Sequence, residues 1–324
     1  MLVFSLFTVL DYWRYDEVWQ DVTQLMRTDV TAADIEQQVA ASVAENNPDD
    51  ARMYLSVADT FGYSLNNRYE AQITELENPL NTAARETVRF IDGFIDGDAS
   101  SGAGVAGAIT ADFTVVGDVR DLKQQYDLYA QGQDVNELIV TLAGVGVGLT
   151  AATVVSAGTA APVKSGASAL KIASRGGKLT PKLQKLLVRQ GSSVFDYPSF
   201  FRAVRSEQTF DGLRRAAVRS YNPRAMDALS DTARQVNNVR QSTSMVDTIT
   251  LLRYVETADD LRRLEKVSSQ YAGLTKGILK LAGKGAIGTV RVLRRSTEFL
   301  VGLVASLISL LATLFSVGSF FRRK

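Results

Sequence analysis

Leu138-Ile-Val-Thr-Leu-Ala-Gly-Val-Gly-Val-Gly-Leu-Thr-Ala-Ala-Thr-Val-Val-Ser-Ala-Gly-Thr-Ala-Ala-Pro-Val163 carries no charge from end to end. A transmembrane helix needs about 20 predominantly apolar residues, so this stretch is long enough to cross a bilayer. Gly, Ala and Thr dominate it, and such small residues let membrane helices approach closely. They also leave the stretch only weakly hydrophobic. The alternative is therefore a hairpin buried within protein. Pro162 is expected to end the helix, since its ring blocks the preceding turn.

The charges on either side favour a crossing. Residues 11–135 hold 23 acidic and 8 basic side chains, whereas residues 136–324 hold 12 and 28. The formal net charge of +1 hides this polarity. Close to the stretch, Arg120 and Lys123 precede it. Lys164, Lys171, Arg175, Lys178 and Lys182 follow it. Lys and Arg stay on the cytoplasmic side during insertion, which places the 164 side in the cytoplasm. The basic run 164–190 has no aromatic residue, so it reads as an orientation signal and a lipid-headgroup contact and not as a nucleic-acid site.

Two further segments carry an anchor signal. Phe299–Phe321 is uncharged and lies between Arg294-Arg295 and Arg322-Arg323-Lys324. As a helix it spans about 34 Å, enough for a hydrocarbon core of about 30 Å. The alternative is a central helix of a bundle. Within residues 1–15, Met1–Leu10 are apolar or small with no basic residue before them, and Tyr12, Trp13, Tyr15 and Trp19 follow like an interfacial belt. That reads as a truncated membrane anchor or as a buried N-terminal helix. A single return at 299–321 would leave the final Arg-Arg-Lys outside. Either 103–116 pairs with 138–163 as a hairpin, or 138–163 does not cross and two terminal anchors bracket an external body.

The remainder predicts amphipathic helices. Thr31 with Asp34, Asn47-Pro48-Asp49-Asp50 and Asn78-Pro79 are helix starts. Ile35, Val39 and Val43 share a face, as do Met53, Val57 and Phe61, and Val88, Ile91 and Ile95. Phe210, Leu213, Ala217 and Tyr221 line another stripe, followed by Leu229, Ala233 and Val236, then Leu252, Val255, Leu261, Leu264 and Val267. Asp259 and Arg263 are spaced as an i,i+4 pair. The expected organisation is a possible anchor at 1–15, an acidic helical module at 16–98, and a Gly/Ala-rich segment at 99–163 with its candidate span 138–163. A basic helical module at 164–296 and a C-terminal transmembrane helix at 297–321 complete it.

Composition excludes much chemistry. With neither Cys nor His, there is no disulfide, Cys/His zinc site, thiol nucleophile or Ser–His–Asp triad. Gly102-Ala-Gly104-Val-Ala-Gly107 and Gly283-Lys-Gly285-Ala-Ile-Gly288 match GxGxxG, but neither follows a strand signal, so both read as small-residue packing or turns. Gly158–Ser165 lacks the Gly before its Lys that a phosphate loop carries. Asp92, Asp96 and Asp98 lack the ligand order of a calcium loop. No catalytic, cofactor-binding or metal residue is assigned, and no cofactor is expected.

The stretch GDVRDLKQQYDLYAQGQDVNELIVTLAGVGVGLTAATVVSAGTAAPVKSGASALKIA, residues 117–173, resembles a segment of uncharacterised proteobacterial helical membrane proteins. Its GD-x-x-D-L start and Gly-rich continuation are also similar to helical segments that precede toxin domains in bacterial polymorphic toxins. The first resemblance implies an integral membrane protein without assigned activity. The second implies a delivery segment, although no toxin domain follows. The combined expectation is an all-α integral membrane protein with helical extramembrane modules, multi-pass in a bacterial inner membrane. It is not an enzyme. Its partners are the lipid bilayer and another protein, as a scaffold or accessory subunit. The alternative function is a membrane-active, pore-forming effector that inserts 103–163 as a hairpin.

Overall fold

The computed structural model describes residues 15–78, 115–153 and 161–293, with the four further positions 304, 307, 308 and 311. The chain divides into two units, Val22–Ile287 and a second made of Met1–Asp21 with Gly288–Lys324. In the second, β1 (Tyr15–Trp19) pairs antiparallel with β2 (Thr289–Leu293), Tyr15 opposite Leu293 and Trp19 opposite Thr289. Tyr15 and Trp19 thus mark the two ends of the first strand of this ribbon. Val304, Leu307, Ile308 and Leu311 have helical backbone and exposed side chains.

Val22–Ile287 is helical among its described residues. Its first helices are α1 (Val22–Asp29), α2 (Ala32–Ala44), α3 (Pro48–Phe61) and α4 (Glu70–Leu76). Then come α5 (Val115–Ala130), α6 (Glu137–Thr153), α7 (Ala161–Arg175), α8 (Pro181–Ser192), α9 (Tyr197–Val204) and α10 (Phe210–Arg219). The last are α11 (Asp227–Ser242), α12 (Met245–Leu251), α13 (Ala258–Tyr271) and α14 (Thr275–Ala282). Local chemistry sets several of these starts. Thr31 and Asp34 form a reciprocal capping box on α2, and Thr257 and Asp260 do the same on α13. Asn47 caps α3 ahead of Pro48, and Gly62 ends that helix in the left-handed conformation that glycine adopts at least cost.

The centre of the unit is α6. Helices α5, α7, α8, α9 and α10 all pack against it, and Leu138–Leu149 are buried on every side. Its glycines explain how so many neighbours fit. A Cβ at Gly144 would lie 2.4 Å from the Phe195 ring. At Gly146 it would lie 2.1 Å from the Asp118 carboxylate, and at Gly148 2.3 Å from the Tyr221 ring. Each missing side chain is replaced by a bulky one from elsewhere in the chain. Gly166 of α7 likewise rests against the Ala233 backbone of α11.

This arrangement corrects the expectation of a multi-pass inner-membrane protein. No helix among the described residues is long and apolar enough to cross a membrane. The candidate span 138–163 is not one helix. Its last residues belong to α7, which packs back on α6 with Lys164 Nζ 3.0 Å from Thr150 Oγ1, so the stretch does not run straight across a bilayer. Pro162 thus opens a helix instead of closing one. An all-round apolar helix suits a protein core as well as a bilayer, because both leave its backbone to bond internally. The expectation of a transmembrane fold in a bacterial inner membrane falls with that span. The anchors at 1–15 and 297–321 lie outside the described residues apart from Tyr15 and the four positions above. So do the helix after Asn78-Pro79, the Asp92–Asp98 cluster, Gly102–Gly107 and all but Val115 and Val116 of 103–116.

Two smaller readings also change. Phe210 is exposed while its stripe-mates Leu213 and Ala217 are buried. Asp259 pairs with Arg262 at 2.9 Å, whereas Arg263 is buried and donates to the Ile287 carbonyl at 3.0 Å.

Candidate functional site

Within this apolar packing lies an ionic seam between α5 and α7. Asp118 and Asp121 stand one turn apart on α5, and Lys171 and Arg175 one turn apart on α7. Lys171 Nζ donates to Asp118 Oδ1 at 2.7 Å and lies 3.0 Å from Asp121 Oδ2. Arg175 also pairs with Asp121. Lys171, Asp118 and Asp121 are 2%, 3% and 2% exposed. Buried charges of this kind persist only when paired. Asp118 Oδ2 accepts no hydrogen bond among the described residues and faces Gly146. Burial pushes the Asp118 carboxyl up from 3.8 to about 6, against the opposing pull of Lys171 and Lys164. Lys164 itself donates to Thr150 Oγ1 at 3.0 Å. The seam can hold or release a proton near neutral pH. Three of its four members are buried and only Arg175 reaches the surface, so the seam fixes α5 on α7.

A second ionic group ties the acidic helices to the basic ones. Lys276 of α14 bonds Asp50 of α3 and lies 2.8 Å from Asp247 of α12, with Lys280 at 3.5 Å from Asp50. Burial opposes the charge on Lys276, but the two carboxylates outweigh it and hold its ammonium above the usual lysine range. At the surface, Glu256 accepts both Lys182 and Lys284 at 2.7 and 2.9 Å. Lys171, Arg175 and Lys182, three of the five basic residues that oriented the supposed span, thus find carboxylate partners in the protein.

Among the described residues of Val22–Ile287, the exposed large apolar side chains fall on two helices. The exposed large hydrophobic side chains described in Val22–Ile287 are Val116, Tyr129, Phe210 and Val218. All four lie on α5 and α10, which pack against each other. The two helices run antiparallel. Asp118 and Tyr221 reach neighbouring turns of α6 at Gly146 and Gly148, while Tyr129 stacks on Phe201 at 4.7 Å and receives Arg205 Nη2 at 3.4 Å. Val116 and Val218 therefore lie toward one end, Tyr129 and Phe210 toward the other. On α10, Phe210, Arg214 and Val218 form one i,i+4,i+8 stripe, and Arg214 pairs with no acid among the described residues.

A separate cleft of about 240 Å3 opens beside α3 and α4, lined by Leu55, Asp59, Tyr63, Leu65, Tyr69 and Glu70 among others. Among the described residues, no group of three or more carboxylates is arranged to hold a metal ion. The second GxGxxG string forms a 3-10 turn at Gly283–Ile287 that leads from α14 to β2. This is the reverse of the strand-to-helix order a dinucleotide site requires. Lys164, the lysine of the supposed phosphate loop, lies inside α7. None of the residues in the seam was marked by the sequence as a site. The signal available was the pair of one-turn spacings, Asp118–Asp121 and Lys171–Arg175. Protein-family models, curated proteins and solved structures contain no match to the chain.

Proposed function

We propose that the protein is a non-catalytic interaction module, a scaffold or accessory subunit that binds another protein through the α5–α10 face. The observation that supports this is the gathering of Val116, Tyr129, Phe210 and Val218 on two adjacent helices. Scattered single apolar residues are ordinary on protein surfaces, but their confinement to one pair of helices marks a contact face. Arginine and aromatic residues are also the types most enriched at interface hot spots, and this face carries both. The acidic and basic groups inside the unit are already engaged with each other, so they hold the fold and leave this surface free.

Site-specific photo-crosslinking in the native host tests the reading. A benzophenone amino acid replaces Phe210, Val218 or, as a control on another exposed helix face, Asp259. Discrete adducts at 210 and 218, absent at 259 and lost when Val116→Ser and Tyr129→Ser are added, are expected. Equal adduct yields at all three positions, or none at 210 and 218, would refute it.

A further inference from the structure

The cleft between α3 and α4 lies on other helices than the α5–α10 face and has its own chemistry. At about 240 Å3 it is smaller than the about 300–1,000 Å3 of sites that enclose a whole small molecule. It has the scale of a single inserted side chain. Leu55 and Leu65 provide apolar wall, and Tyr63 and Tyr69 add aromatic surface. Two carboxylates, Asp59 and Glu70, complete the lining, and no basic residue belongs to it.

These parts are set in place. The Tyr63 hydroxyl donates to the carbonyls of Met26 and, at 3.1 Å, Val30, which fixes its ring. Glu70 is shared with Arg52, whose guanidinium also bonds Glu77 at 2.8 Å. Asp59 makes no ion pair among the described residues, so its charge is uncommitted. Tyr69 already shows what its ring accepts. The Arg68 guanidinium sits 4.7 Å from its centroid while also pairing with Glu36 at 3.3 Å. The surroundings add a long-range bias, since Val22–Asn78 carries ten acidic and three basic side chains.

We propose that this cleft receives a cationic side chain, an arginine or lysine presented by an extended basic segment of a partner protein. The aliphatic stem would lie along Leu55 and Leu65, and the charged head would reach Asp59 and Glu70 beside the tyrosine rings. Guanidinium and ammonium groups are attracted to tyrosine faces, and a preset cleft avoids ordering its own side chains on binding. The inference is independent of the α5–α10 face, and its test uses different residues.

The experiment is an NMR titration of the full chain, labelled at tyrosine, with the peptide Gly-Ser-Gly-Arg-Gly-Ser-Gly. The matched peptides carry norleucine or glutamate in place of arginine. Saturable shifts at Tyr63 and Tyr69 are expected with the arginine peptide, and little response to the other two. Asp59→Asn should weaken binding about two- to fivefold, in line with one exposed charge pair. Asp49→Asn, outside the cleft, should leave it unchanged. A circular dichroism melt equal to the parent establishes that Asp59→Asn remains folded, and Glu70→Gln provides a second variant. Equal shifts with norleucine would show a merely apolar cleft and overturn the proposal. No shift with arginine, or shifts indifferent to both Asp59→Asn and Glu70→Gln, would overturn it too.

Discussion

Replacing Lys171 by Met removes one cation and leaves two carboxylates, 3% and 2% exposed, side by side on the α5 flank of the seam. Arg175 still neutralises Asp121, but Asp118 loses its hydrogen-bonded partner. Removing one member of a buried pair costs about 3–5 kcal/mol, and that is the expected loss at pH 7.5. The cost must depend on pH, with a definite sign. In the parent, folding raises the Asp118 carboxyl from 3.8 to about 6, so the folded state favours the protonated acid by about 3 kcal/mol. That contribution is fully present below about pH 4 and is lost as pH rises through 6. Without Lys171 the carboxyl moves higher still, and a proton replaces the missing ammonium at pH 5. The deficit of Lys171→Met should therefore shrink by roughly half between pH 7.5 and pH 5. Urea unfolding of parent and variant at both pH values measures it. Adding Asp118→Asn should recover part of the loss at pH 7.5 by leaving no unpaired charge. A deficit under about 1 kcal/mol, or one equal at the two pH values, would show that water reaches the Asp118–Lys171 pair and would refute the argument.

Gly146→Ala puts a methyl group 2.1 Å from the Asp118 carboxylate, and overpacking of this kind typically costs about 1–3 kcal/mol. Chemical denaturation should show that loss, and in an Asp118→Ala background, where the space is vacated, Gly146→Ala should cost much less. Thr257→Ala removes half of the capping box of α13 and should lower stability by about 1 kcal/mol, with no change in the crosslinking pattern of the α5–α10 face. A loss of adducts at Phe210 in that variant would mean the face depends on α13.

What could be read from the sequence was local. The Thr31 and Asn47-Pro48 starts and the Leu229–Ala233–Val236 stripe depend on residues within a turn or two, and they appear in the structure where expected. Two longer-range signals were ambiguous. Hydrophobicity around the whole of α6 fits a bilayer or a bundle core equally. What separates them is which side chains fill Gly144, Gly146 and Gly148, and those come from residues 195, 118 and 221. The split of charge between the two halves resembled a division into compartments. In the folded chain the halves meet, with Lys276 set between Asp50 of the acidic half and Asp247 of the basic half. The Asp118–Lys171 pair joins residues too far apart in sequence for periodicity to reveal it, whereas the cleft is lined from within Leu55–Glu70 but by two helices and the turn between them, which no single period describes.

The three glycines of α6 also limit how the sequence can diverge. Positions 144, 146 and 148 are matched to Phe195, Asp118 and Tyr221, contributed by separate parts of the chain. Enlarging any one of the glycines requires a smaller residue at its own distant mate, and a change at one mate does nothing for the other two. Relatives that keep this packing should vary in linked pairs, 144 with 195, 146 with 118 and 148 with 221. In such a lineage α6 would be the slowest segment to change, although its amino acids are the least distinctive in the protein.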